Sequence, residues 1–215
     1  MYACKLERFL LYLINNQRLQ DIRLQDIEDW RQDYLEEFGV ANGTLNSYTV
    51  YLKAALGRAM KRGYLTSHPL ANLKQLPEDH HRVRYLRDDE RERFYDGLDQ
   101  RKDFLKPFCI VALNTGMRRS EIISMRYEHL DLTARVIRIP ETKSGRHQTV
   151  PMNDKVLSAL KAWAGGKLPS RGFVFGNDQG AKRHGRMKVW DRFIEHCQID
   201  NFRIHDMRHD FASQL

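Results

Sequence analysis

The chain has 215 residues, 41% hydrophobic and 30% charged, which is the balance of a folded globular protein and not of a disordered one. No apolar run approaches the roughly eighteen residues that a membrane span needs. Three scattered cysteines, Cys4, Cys109 and Cys197, exclude a disulfide scaffold and suit a reducing, cytoplasmic setting. The net charge of +8 is unevenly spread, with 12 Lys/Arg against 10 Asp/Glu over residues 1–85 and 24 against 18 over 86–215. Residues 135–215 alone hold 15 against 8, so positive charge gathers toward one end, as a polyanionic partner would favour. A solvated basic surface is the competing reading of the charge alone.

In chain order, MYACKLERFLLYLINNQ is interrupted by Lys5, Glu7 and Arg8 and lacks a secretory cleavage signal. It reads as an amphipathic helix, with Leu6, Phe9, Leu10 and Leu13 on one face. Leu24, Ile27, Trp30, Tyr34 and Phe38 form a second stripe, which ends near Gly39. A third helix is expected to start at a Thr44 cap, to bury Leu45, Tyr48, Leu52, Leu56 and Met60, and to close at Gly63. LQDI occurs at 19–22 and again at 24–27, but a five-residue period fits neither a helix face nor a strand face, so it is read as chance. The third helix also carries a polar stripe of Asn46, Lys53 and Lys61 with Arg58 and Arg62 beside it, a face suited to phosphates or a groove. An ordinary exposed helix face is the alternative for each of these residues.

From Ser67 to Leu86 the sequence loses periodicity and holds two prolines and the pair His80–His81, so residues 77–85 read as a linker. It would join a helical domain over 1–76 to a second domain over 86–215. There Asp88, Asp89 and Glu90 suit the first turn of a helix, where negative charge complements the dipole. FLKPFCIVALNTG is a buried helix stopped by Gly116, and RRSEIISM a short one. Val136, Ile137 and Ile139 make a strand that turns at Lys143-Ser144-Gly145-Arg146 and returns through Gln148, Thr149 and Val150. NDKVLSALKAW is helical, capped by Asn153 or Asp154. Phe173-Val174-Phe175 reads as a short strand, and two helices follow near 186–197 and 205–214. The fold class expected is mainly α: a helical domain followed by an α+β domain with a small antiparallel sheet.

Four cationic positions stand out: Arg118 after a helix and its glycine, Lys143 at a hairpin tip, and His205 and Arg208 three residues apart on one helix face. Arginine binds two phosphate oxygens at once and stays charged at any working pH. Lysine and histidine can deliver protons, and phosphoryl transfer needs both services. TGMRRSEI, ETKSG in a hairpin, and HDMRHDFAS, in this order and spacing, resemble the motifs of the tyrosine recombinase (phage integrase) family. The front of the chain, including GTLNSYTVYLKAALGRAMKRGYL followed by HPL, is similar to that family's SAM-like core-binding domain, so the likeness covers essentially the whole sequence.

The resemblance implies a DNA breaking-rejoining fold and a reaction through a 3′-phosphotyrosyl intermediate, with no metal and no other cofactor. It implies that Arg118 and Arg208 clamp the scissile phosphate, Lys143 protonates the 5′ leaving oxygen and His205 assists proton transfer. Glu121 would orient Arg118, and His209 would play a structural part. Arg119 is read as an ordinary exposed arginine, with a DNA contact as the alternative, and Ser144 and Arg146 as DNA-backbone contacts beside Lys143, with ordinary exposed residues as the alternative. The partners implied are double-stranded DNA and further protomers, four acting together, in a nucleoid-associated location and with no membrane. His205 and His209 have helical metal-ligand spacing but no third ligand nearby.

All nine tyrosines precede the His-x-x-Arg-His segment, whereas the family's nucleophile follows it. The expectation is therefore a fragment of a recombinase, incomplete at the C-terminus, without the nucleophilic tyrosine, that binds DNA without cleaving it. The alternative is a naturally short, non-catalytic relative that blocks or competes at recombination sites. Tyr127, nearest in sequence to Arg118, is read as a packing residue.

Overall fold

The computed structural model describes residues 18–78, 83–140, 148–185 and 187–214. The helix expected over Leu6–Leu13, the pair His80–His81 and the hairpin turn with Lys143, Ser144 and Arg146 lie outside the described residues. The chain divides between His81 and Arg82 into two compact units.

The first unit is built on helices α1 (Leu24–Phe38) and α2 (Asn42–Lys61), preceded by a 3-10 turn at Leu19–Asp21. At the start of α1 the Asp26 carboxylate accepts the Arg23 amide at 2.7 Å, and the helix stops at Gly39, which adopts a left-handed φ of 56°. Ile27, Trp30 and Tyr34 pack against Leu45, Leu52 and Leu56 of α2, and Ile22, Leu65, Leu70 and Leu73 close the core from both flanks. Arg31 is also buried: it donates to Thr49 Oγ1 and to the Lys74 carbonyl, and burial lowers its pKa. Residues after Leu65 return along α2. Asn46 donates to the Leu76 carbonyl and accepts the Leu76 amide, both at 2.8 Å, and Asn42 Nδ2 donates to the Pro77 carbonyl.

Two expectations about α2 change. The helix starts at Asn42, one turn earlier than a Thr44 cap would allow, with Ala41 as the N-cap; the Asn42 side chain is tied to Pro77 and the Thr44 amide bonds the Ala41 carbonyl. Met60 is exposed, because the core-facing place at that turn goes to Ala59.

The second unit contains α3 (Asp88–Asp99), α4 (Leu105–Thr115), α5 (Arg119–Ser124), the strands β1 (Leu130–Asp131), β2 (Val136–Ile139) and β3 (Gln148–Pro151), then α6 (Asp154–Trp163), α7 (Lys188–His196) and α8 (Asp206–Ala212). The strands form one antiparallel sheet in the order β1-β2-β3, with Ile137 opposite Leu130 on one side and Val150 on the other. Ile137 and Ile139 face the core and Arg138 faces out, the alternation of a sheet covered on one side. α4 is the central helix: Leu105, Phe108, Cys109, Val111, Ala112 and Leu113 are all buried, and α6 and α8 pack against it. Asn153 caps α6 by accepting the Val156 amide at 3.0 Å.

The strand expected at Phe173–Phe175 is a single bridge between Phe173 and Arg126. Pairing stops there because the chain turns at Phe173–Gly176, while Val174 and Phe175 are buried and the Val174 carbonyl accepts the Trp163 indole N–H. Among the described residues, no helix is long and apolar enough to cross a membrane.

Candidate active site

The site is assembled at the turn between α4 and α5. Gly116 ends α4 at a left-handed φ of 60°, with its amide on the Ala112 carbonyl, and two residues later Arg118 opens α5. The Glu121 carboxylate accepts the Arg118 amide at 2.7 Å and the Arg118 guanidinium at 2.9 Å. This is a capping carboxylate that also holds the arginine side chain. Glu121 is mostly covered while Arg118 keeps more than half of its side chain exposed, so one end of the guanidinium is fixed and the rest is available.

α8 brings the second arginine to this turn. Arg208 donates from its guanidinium to the Gly116 carbonyl and is otherwise exposed. The approach is close because Gly116 has no side chain: a Cβ there would sit 2.4 Å from Cδ1 of Phe211. The helix is fastened from below by Asp210, which is fully buried and accepts the Leu86 amide at 2.9 Å, Arg91 at 2.8 and 3.1 Å, and Gln214 at 2.7 Å. Burial alone would lower the Arg91 pKa, but the Asp210 carboxylate outweighs it and raises it. Met207 is buried beside Asp210, and the buried Asp206 accepts the Arg203 amide at 2.8 Å. His205 is exposed just before α8 and His209 is half-buried one turn on; their rings pack edge to face with centroids 5.3 Å apart.

Of the positions singled out in the sequence, the structure therefore brings Arg118, Glu121 and Arg208 to one turn, with His205 and His209 on the helix that carries Arg208. Lys143, Ser144 and Arg146 lie outside the described residues. On α2, Arg58, Lys61 and Arg62 are exposed. Asn46 is not on an open face: it is buried, and its amide is used on Leu76 and Glu78. Lys53 is half-buried with its ammonium 3.4 Å from the Ala71 and Leu73 carbonyls. Both therefore have structural work in closing the first unit over residues 71–78. Tyr127 is half-buried against the core, and burial raises its pKa.

Three residues escaped the sequence reading. Arg91 and Asp210 fix the pose of α8; the available signal was an acid on the apolar side of HDMRHDF, beside Met207 and Phe211. Arg119, expected to be an ordinary exposed arginine, is half-buried and donates to the Gly185 carbonyl. Among the described residues, no group of three or more His, Cys, Asp or Glu side chains could hold a metal ion.

Two arginines thus meet at one turn of a mainly helical α+β domain, one gripped by a carboxylate and the other by a main-chain carbonyl. The chain belongs to the phage integrase family, whose model matches residues 84–215. It is similar to a shufflon-specific DNA recombinase of Escherichia coli, with 26% identity over 95% of this chain and 53% of that protein. It is also similar to tyrosine recombinase XerC of Pseudomonas entomophila, with 31% identity over 74% of this chain and 56% of that protein. The chain thus spans about half the length of these relatives. In fold it resembles the Tn1549 transposon integrase (residues 82–397) in complex with circular intermediate DNA, with a TM-score of 0.78 and 21% identity over all of this chain and 81% of the other.

Proposed function

We propose that these residues form the phosphate clamp and proton-transfer apparatus of a site-specific DNA recombinase acting on duplex DNA. The observation that carries the reading is the convergence of Arg118, held by Glu121, and Arg208, held by the Gly116 carbonyl, on one exposed turn. Held this way, two guanidinium groups bind the non-bridging oxygens of one phosphodiester and offset the charge that builds on them during displacement. A tyrosine hydroxyl loses its proton and attacks phosphorus as the phenolate, a 3′-phosphotyrosyl bond forms, and the P–O5′ bond breaks. Lys143 supplies the proton to the departing 5′ oxygen, and His205 assists proton transfer beside Arg208. His209 supports the His205 ring, with which it packs edge to face. The nucleophile is not among these 215 residues, so this chain binds and clamps without cutting. In the whole recombinase, further protomers complete the reaction on two DNA sites. In the first unit, Arg58, Lys61 and Arg62 of α2 supply non-specific phosphate contacts.

The test is equilibrium binding of the full chain to a mixed-sequence duplex across a salt series, with denaturing gels run alongside. Binding should weaken steeply with salt, since each neutralised phosphate contributes a slope of about −0.9 in log K against log salt. No SDS-stable protein–DNA adduct should form. Absence of binding at low salt overturns the reading, and an SDS-stable adduct overturns the assignment of the nucleophile to another segment.

A further inference from the structure

Between Gly176 and α7 lies a loop that the proposed mechanism does not use. Its sequence from Lys182 to Lys188, KRHGRMK, is strongly basic, and no acid occurs between Asp178 and Asp191. The loop is built rather than loosely draped. At its base the Asn177 carboxamide accepts the amides of Gln179 and Ala181 at 3.1 and 2.9 Å, and the Asn177 amide donates to the Ala181 carbonyl at 2.8 Å. Gly176 lets the two ends approach, since a Cβ there would lie 3.2 Å from the Gly180 backbone. In the middle, the Arg183 guanidinium carbon stacks 3.9 Å from the centroid of the Phe104 ring. Further on, Arg119 donates to the Gly185 carbonyl.

Arg119 is the residue next to Arg118. Arg119 is half-buried, and its Nε and that of Arg183 are both shielded and have no hydrogen-bond acceptor among the described residues. Shielding two guanidinium donors without acceptors is unfavourable in itself, and its structural return is a fixed loop. Lys182, half-buried between Arg183 and the Asn177 base, and the exposed Lys188 at the start of α7 are the lysines nearest in sequence to Arg119's anchor at Gly185. Phosphates along one DNA strand are spaced a few ångströms apart, so a clamp for one phosphate gains from ordered cations that reach its neighbours.

We propose that Arg119 is a positioning residue that fastens the loop Asn177–Gly185 beside Arg118, so that Lys182 and Lys188 engage phosphates flanking the one that Arg118 binds. This rests on the duplex-DNA reading above. Arg119 itself does not touch the DNA; it acts through the loop.

The experiment is a double-mutant cycle on the full chain, reading the salt dependence of binding to the mixed-sequence duplex together with amide hydrogen exchange of the free protein. Lys182→Ala should reduce the slope of log K against log salt by about 1, as the loss of one phosphate contact predicts. Arg119→Gln should raise exchange at Arg183–Gly185, and Lys182→Ala should add almost nothing in that background. If Arg119→Gln does not fold, as judged by its thermal transition, Lys182→Ala and Lys188→Ala decide the matter, each expected to flatten the slope. If these lysine variants leave the slope unchanged while Arg118→Ala lowers affinity, the loop proposal is overturned and the clamp stands. If Lys182 contributes equally with and without Arg119, the fastening role is overturned even if hydrogen exchange rises. If the unmodified chain does not bind the duplex at all, the underlying reading goes first and the proposal with it.

Discussion

Replacing Gly116 with alanine concentrates the logic of the site into one methyl group. The residue sits at φ = +60°, where a side chain costs about 1 kcal/mol or more relative to glycine. The added Cβ would stand 2.4 Å from Cδ1 and 2.9 Å from Cε1 of Phe211, far inside van der Waals contact, so α8 must retreat from α4. Overpacking of this kind costs about 1–3 kcal/mol. Together the two terms give about 2–4 kcal/mol, a large share of the roughly 5–15 kcal/mol that stabilises a typical domain. Retreat of α8 also pulls Arg208 off the Gly116 carbonyl, so DNA affinity should fall in the fraction that remains folded. Urea denaturation of Gly116→Ala, Phe211→Ala and the double variant separates the terms. Phe211→Ala removes the obstructing ring, so the double variant should be more stable than the sum of the single losses predicts. A loss below about 1 kcal/mol for Gly116→Ala, or strict additivity in the cycle, would refute the claim that α8 is seated on a bare glycine.

Asp210→Asn keeps the size of the buried group and removes the charge that Arg91 pairs with, so chemical denaturation should show a loss of about 2–4 kcal/mol, discounted from a fully buried pair because Arg91 is partly exposed. DNA binding should fall with it. The Glu128 carboxyl, hydrogen-bonded by Arg126 and by the Gly172 amide, titrates at about 2 in the folded chain instead of its ordinary 4.5. A depressed carboxyl stabilises the fold above its unfolded pKa and loses that contribution as pH falls through the folded one. Thermal stability should therefore decline from about pH 4.5 toward about pH 2, and Glu128→Gln should make that limb shallower; an unchanged limb would contradict the pairing. Burial raises the Cys109 thiol well above its usual range and raises Cys197 less, so neither should react with an aromatic disulfide reagent in the native chain at neutral pH. Both should react once the chain is unfolded in urea.

Much of this architecture is written locally. The i, i+3, i+4 stripe from Leu24 to Phe38 and the glycine after it give α1 to the residue, and the apolar FLKPFCIVALNT gives the central helix α4. What escaped is governed by partners far away in sequence. Asn46 looks like a surface amide on a helix wheel, and only the returning segment at Leu76 makes it a buried tie. Asp210 looks like one more surface charge on a short polar helix until Arg91, 119 residues earlier, is found against it. Phe173-Val174-Phe175 has strand composition, but a strand needs a neighbour of matching length, and Arg126 offers one residue. The arginine pair was legible as residue types in order. Glu121 as the partner of Arg118 was legible too, through the family resemblance, but that the Gly116 carbonyl holds Arg208 could not be read without the turn between α4 and α5.

The central claim is that Arg118 and Arg208 grip the same phosphate, and a double-mutant cycle on duplex binding tests it most directly. Affinity of the full chain is measured at one fixed salt concentration for the unmodified protein, Arg118→Ala, Arg208→Ala and the double variant. If both arginines serve one phosphate, each single change should remove most of the shared contribution, and the double variant should bind little worse than either, with a coupling of about 1 kcal/mol or more. Losses that simply add, or single variants that bind as tightly as the unmodified chain, would contradict the account.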